Sequence, residues 1–250
     1  GATFTDREFL DSYSRVAVID GQFRLGQATR LNFIAAQSQH RDEDGNELDG
    51  PALGALLGHT GRNFTASTFF GRTDPDFRTD VGFVRRVDQQ RNLTTIGYRW
   101  WPEHWIINWG PTANYQLNFN HAGIREDEVM GGGGNFEFSR NIRASVKADQ
   151  TLERFGGINF HKTSYNVSAR TSTNRLFTLR GNFTAGDEIY FDPENPYLGR
   201  TVQTRLSTVL RPTPRLTSQV DLNTSRFTDI RVGSKEVFDV KILRALSTFA

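Results

Sequence analysis

Five histidines, His40, His59, His104, His121 and His161, are the first residues to weigh for chemistry. A zinc hydrolase places two histidines one helical turn apart with a glutamate between them, and no HExxH spacing occurs. His40, His121 and His161 fall beside acidic stretches, where they read as a surface metal site or as solvated loop-edge residues. The acidic stretches hold Asp42, Glu43, Asp44, Glu47 and Asp49, then Glu126, Asp127 and Glu128, then Asp187, Glu188, Asp192 and Glu194. Such oxygen ligands suit Ca²⁺ or the divalent cations that bridge lipopolysaccharide phosphates; they equally suit an exposed loop kept in solution. The chain has no cysteine, so thiolate nucleophiles, thiolate metal sites and disulfides are excluded. No Gly-x-Ser-x-Gly elbow marks a serine nucleophile. Gly131 to Gly134 lacks the Lys-Ser/Thr of a phosphate-cradling loop and reads as a bulge-prone stretch of strand with something bulky close to it. Thr5-Asp6-Arg7-Glu8 has the form of a capping box and predicts a helical turn. No catalytic residue, metal ligand or cofactor site is assigned.

A second group carries charge rather than reactivity. Arg24, Arg30, Arg143, Lys147, Asp149, Arg170, Arg180, Arg205, Asp221 and Lys241 fall in the polar registers of alternating segments. Together they predict a mostly basic wall. Such a wall attracts anionic solutes or the acidic face of a plug domain; alternatively, its charges pair between neighbouring strands and fill an interior with no pore.

The elements that would carry these residues follow from periodicity. From Trp105 to Asn120 the odd positions include Trp105, Ile107, Trp109, Ala113, Tyr115, Leu117 and Phe119, while most even positions are polar. Alternation of this length is a strand with one apolar and one wet face. It recurs over Ile142 to Asp149, Phe177 to Ala185, Val202 to Leu210 and Leu216 to Asn223, and more weakly elsewhere, for about thirteen strands of the nine to eleven residues that cross a bilayer when tilted. Connections alternate between short ones (near Gly26, Gly61, Pro102, Arg140, Asn174 and Pro214) and long ones (near Asp44, Asp76, Gly123, Glu153, Asn195 and Ser234). The expected fold is therefore all-β, an antiparallel up-and-down transmembrane barrel occupying residues 1 to 250.

Composition fits a wet interior and an apolar exterior. Only 36% of the 250 residues are hydrophobic although Phe alone supplies 20. Lys and Arg number 30 against 28 Asp and Glu, too balanced for a nucleic-acid binder. The longest apolar run, Ala52 to Gly58, is far shorter than a membrane-spanning helix requires. Trp100, Trp101, Trp105 and Trp109 gather round one short turn and Phe177 follows another, as in the aromatic girdles of outer-membrane barrels. Five Asn-x-Ser/Thr sequons, at Asn63, Asn92, Asn166, Asn182 and Asn223, lie in polar strand registers, where Asn and Thr are ordinary wall residues.

The most idiosyncratic segment is Phe70 to Asp88. Its Asp74-Pro75-Asp76-Phe77, Gly82-Phe83-Val84 and Arg86-x-Asp88 elements resemble a signature of a bacterial family of unsettled function, in which a family-nine-like carbohydrate-binding module precedes an outer-membrane β-barrel. Thr5 to Phe9, Asp20-Gly21-x-Phe23-Arg24-Leu25 and Trp109-Gly110-Pro111 are similar to that family too. The resemblance implies the bacterial outer membrane, glycan-related work and a periplasmic carbohydrate-binding module outside this chain. An odd strand count and a last strand ending at Ala250 lead to the expectation of a piece of a larger, even-stranded barrel. The expected partners are outer-membrane lipid, lipopolysaccharide and a plug domain or partner protein. The expected role is a channel, transporter component or surface anchor, with a soluble all-β carbohydrate-binding module and a membrane-embedded hydrolase as the rivals.

Overall fold

The computed structural model describes residues 1–82, 84, 86–172, 176–231 and 233–249. Its strands are β1 (Ala2–Phe9), β2 (Ser12–Arg24), β3 (Thr29–Arg41), β4 (Glu47–Thr60), β5 (Phe64–Thr73), β6 (Gln89–Tyr98), β7 (Ile106–Phe119), β8 (Arg125–Phe138), β9 (Ile142–Phe155), β10 (Ile158–Thr171), β11 (Phe177–Tyr190), β12 (Tyr197–Thr213), β13 (Leu216–Asp229) and β14 (Lys235–Phe249). They form one sheet in chain order, each bonded to its sequence neighbours. Every register recorded is antiparallel, as short connections between consecutive strands require. The chain divides into two compact units, Gly1–Ile96 with Asn114–Glu128, and Gly97–Ala113 with Val129–Ala250.

Thr5 to Glu8 form no helical turn. They lie in β1, where Asp6 and Glu8 both accept hydrogen bonds from Arg15 of β2. The capping-box residues face a partner strand, and pairing overrides the local signal.

The expected sorting of short and long connections also needs correction. Gly156 and Gly157 alone join β9 to β10, and Asp42 to Asn46 join β3 to β4. Many residues that look like loop are strand: Glu47 and Asp49 begin β4, Glu126 to Glu128 begin β8, and Asp187 and Glu188 end β11. A strand of 14 residues is ~48 Å long at about 3.4 Å per residue, well beyond an apolar band of about 25 Å. Past such a band the extensions mix charged and apolar residues on the same stretch, as Leu152 with Glu153 on β9 and Glu188 with Ile189 on β11, so they lose the alternation by which strands are recognised. Among the strand bounds described, the widest gap is between β5 and β6, Asp74 to Asp88.

Each unit has one markedly apolar face. In the first, Phe4, Ile19, Phe23, Leu53, Leu57 and Phe70 project from the same side of β1 to β5 and all are exposed. In the second, Val146, Val167 and Phe183 stand directly opposite one another on β9, β10 and β11 and are likewise exposed. The cores of soluble sandwiches bury such rows between two sheets. Here the buried hydrophobic residues described are few: Val16, Phe77, Leu152, Phe160, Ile189 and Phe227.

The four glycines lie in β8, and a Cβ at Gly133 would run into the Val146 carbonyl of β9. The close neighbour is thus the backbone of the next strand rather than the bulky side chain expected. The turn near Asn174, and Phe83 of the Gly82-Phe83-Val84 element, lie outside the described residues.

Candidate functional site

The opposite face of the second unit is polar and carries most of the predicted wall. Its register runs laterally from Arg143 on β9 through Arg170 on β10, Arg180 on β11, Ser207 on β12 and Asp221 on β13 to Arg244 on β14. Lys147, Asp149 and Arg205 belong to the same face. In the first unit Arg24 and Arg30 are directly opposite each other, on the side away from Phe4 and Ile19.

Lys241 departs from this set. It stands opposite Thr224, in the row that begins with Val146, Val167 and Phe183 and continues through Thr204. Its ammonium reaches Asp239 at 3.5 Å. Both registers of β14 contain apolar residues, Val240 and Ile242 in one and Leu243 and Ala245 in the other, so its parity was not decided by pattern. Pairing with β13 decides it.

Like charges directly opposite on neighbouring strands repel. Arg143 is compensated: its Nη2 lies 2.9 Å from Glu137, which also accepts a 2.7 Å bond from Asn108. Lys147 pairs with Asp149 at 2.9 Å. Arg170 and Arg180 are exposed, and neither pairs with a carboxylate among the described residues. They border a cavity of about 570 Å³ together with Arg99, Arg143, Ser145 and Ser168. Arg180 also borders a neighbouring cavity of about 380 Å³ with Arg205, Asp221 and Arg244. Farther along the same face Asn182 donates to Asn166, which donates to Thr184 at 2.8 Å. Three of the sequon asparagines, Asn166, Asn182 and Asn223, are therefore wall residues, while Asn63 precedes β5.

The tryptophans form a cluster of the second unit. Trp100 bridges to Trp109 with ring centroids 4.6 Å apart, Tyr98 packs against Trp100 at a tilt of 59°, and Trp105 packs on Phe138 at 5.2 Å. Arg99 lies over the Trp101 ring. Phe177 stands opposite Leu210, in the apolar register.

The first unit contains what sequence reasoning missed. Asp74 to Asp88 lies as a strap across the face of β2 to β5 that bears Ser14, Ser38 and His40. Two almost wholly buried serines hold its backbone: Ser38 Oγ accepts from Arg78 N–H at 3.1 Å, and Ser14 Oγ from Asp80 N–H at 3.0 Å. Asp80 accepts a 3.0 Å bond from Arg7 and approaches buried His40 at 3.9 Å. At the far end Asp88 accepts from both the backbone N–H and the ring Nδ1 of His121, at 2.8 and 3.0 Å. Those bonds hold the Asp88 carboxyl below its ordinary range, the backbone bond contributing most. Arg86 pairs with Glu126 and Asp127.

These contacts revise the reading of the histidines and carboxylates. His121 anchors the strap and His40 is buried beneath it, so neither is a solvated loop-edge group. Asp42 closes its turn by accepting from the backbone and side chain of Asn46, and Glu188 meets Lys162 at 2.9 Å. No group of three or more metal-ligating side chains occurs among the described residues.

No protein-family model matches the chain, and no curated protein matches it. Its fold is similar to the crystal structure of Pseudomonas aeruginosa OccK3 (OpdO), an outer-membrane porin barrel. The match has a TM-score of 0.57 at 12% identity and covers 99% of this chain and 72% of that one. At that identity the likeness is one of fold. The chain has the all-β, up-and-down antiparallel fold of an outer-membrane β-barrel.

Proposed function

We propose that the protein is a non-catalytic channel or transporter component of the bacterial outer membrane, with its apolar face against lipid and its polar face toward a solute path that favours anions. The observation that carries this reading is the juxtaposition of Arg170 and Arg180 without carboxylate partners, on the face opposite the exposed row of Val146, Val167 and Phe183. Side chains of that row are stable in hydrocarbon and costly in water. Six guanidinium groups, on Arg99, Arg143, Arg170, Arg180, Arg205 and Arg244, line two adjoining cavities against the carboxylates of Glu137 and Asp221. A basic surface walled by low-dielectric material concentrates anions. The fold match supports the membrane setting, and the resemblance to the carbohydrate-module family directs the choice of solute toward acidic sugars, with lipopolysaccharide around the rim and a carbohydrate-binding or plug domain as partner.

The test is single-channel recording in planar bilayers under a salt gradient. The native protein is expected to be anion-selective. Arg170→Glu and Arg180→Glu together should move the reversal potential toward that of cations, while Lys241→Glu, on the other face, should leave it in place. Unchanged selectivity in the double variant, or no conductance from correctly folded protein, would overturn the proposal.

A further inference from the structure

The strap does not fill the face it covers. Between it and β2 to β5 is a cavity of about 480 Å³, of the size that takes a small organic ligand. Its floor is made of small residues, Ala36, Ala52 and Gly54, and its walls include Phe69 and Phe77. Ile34 and Val81 both face it and remain 48% and 49% exposed. An apolar hollow beneath a strap anchored at both ends leaves unfavourable hydrocarbon surface against water, on a face that elsewhere bears Arg24, Asn32, Ser38 and His40.

One charged side chain borders the hollow among the described residues, and that is Arg91. Its Nη2 donates to Gln116 at 3.0 Å. Its Nε has no hydrogen-bond partner, and no carboxylate among the described residues pairs with the guanidinium. A half-buried cation without a counter-charge favours an anion.

We propose that this hollow binds a medium-chain aliphatic carboxylate from the aqueous phase, with the chain on Ala36, Ala52 and Ile34 and the carboxylate at Arg91. The apolar surface recognises the chain, and the guanidinium, with no carboxylate beside it among the described residues, distinguishes an acid from a neutral amphiphile. Closing over the ligand, Val81 and Phe77 would tie the strap down at its middle as Ser14 and Ser38 tie its backbone. The site lies in the first unit, is built from residues other than those of the arginine row, and stands or falls independently of ion selectivity there.

Hydrogen exchange of the backbone amides of residues 77–82, measured on the whole chain in lipid nanodiscs, tests this. Octanoate serves as the probe and octanamide as its uncharged match. Octanoate is expected to slow exchange at Arg78 and Asp80 saturably, by about tenfold when present at ten times its dissociation constant. Arg91→Gln should weaken octanoate at least tenfold. Ala52→Leu, which fills the floor and retains the arginine, should abolish protection; unchanged exchange at Leu31 and Leu57, paired on β3 and β4 of the same unit, would show that both variants fold. Equal protection by octanamide, protection surviving in Arg91→Gln, or a response that rises linearly without saturating, as lipid partitioning would produce, overturns the proposal.

Discussion

Gly50 is where the backbone of the strap comes to rest on β4: a Cβ there would stand 2.5 Å from the Phe77 nitrogen and 2.8 Å from the Asp76 carbonyl carbon. Backbone cannot give way as a side-chain tip can, so Gly50→Ala should lift the strap and cost about 1–3 kcal/mol, read as faster exchange at residues 77–80. Ser38→Ala removes the hydroxyl that accepts from Arg78 N–H and donates to the Gly50 carbonyl. With Ser38 and Gly50 buried, its cost should also be about 1–3 kcal/mol, measured by denaturant unfolding. Asp88 sets the acid limit. Because its carboxyl is held below the ordinary range, the contact with His121 contributes fully above the unfolded carboxylate value of about 3.9. It is lost only as pH falls through the lower folded value. Strap protection should therefore keep the full contribution of Asp88 down to about pH 4 and lose it below, and Asp88→Asn should remove that acid step. None of these roles was legible in advance. Gly50, Ser14 and Ser38 are small residues in ordinary strand positions, and only a segment distant in sequence, 40 residues from Ser38 and 66 from Ser14 at its bonds, makes them specific. The odd composition of Asp74 to Asp88 was the one signal that something was built there.

Strands were legible where one face meets hydrocarbon and the other does not, because that contrast imposes period two. The rows headed by Val146 and Arg143 are such a case, and residues on β9 to β13 could be sorted by parity alone. Parity failed on β14, where Lys241 sits in the apolar row, and in the strand extensions, where charged and apolar residues share both faces. It also hid the second face of β2 to β5, where Val16, Val18, Ile34, Ala36 and Ala52 interrupt the polar register. Which face meets lipid can be tested directly. Val167→Arg should destabilise the protein by about 2–4 kcal/mol in bilayers, whereas Gln203→Arg, on the polar face, should cost less than about 1 kcal/mol, both measured by reversible unfolding in lipid vesicles. Equal costs would show the faces to be misassigned. Gly133→Ala should loosen the β8 to β9 pairing, seen as faster exchange near Val146, because its Cβ has no space beside the neighbouring carbonyl.

For the molecule as a whole, exposed apolar rows in both units and a porin-like strand order lead to an expected behaviour in cells. The protein should stay with the outer-membrane fraction through high-salt and carbonate washes and need detergent for release; a secreted all-β binding module would be freed by either wash. The all-β class and the antiparallel meander followed from sequence by itself, since side-chain alternation is a local property of a pleated strand. So did the polar placement of Arg143, Arg170 and Arg180. Only the tertiary structure decided that Arg170 and Arg180 stand side by side without a carboxylate, that β14 turns Lys241 to the apolar side, and that Asp74 to Asp88 folds back over Ser14 and Ser38. Those outcomes depend on register between strands and on contacts far apart in the chain, and a pattern confined to neighbouring residues carries no information about either.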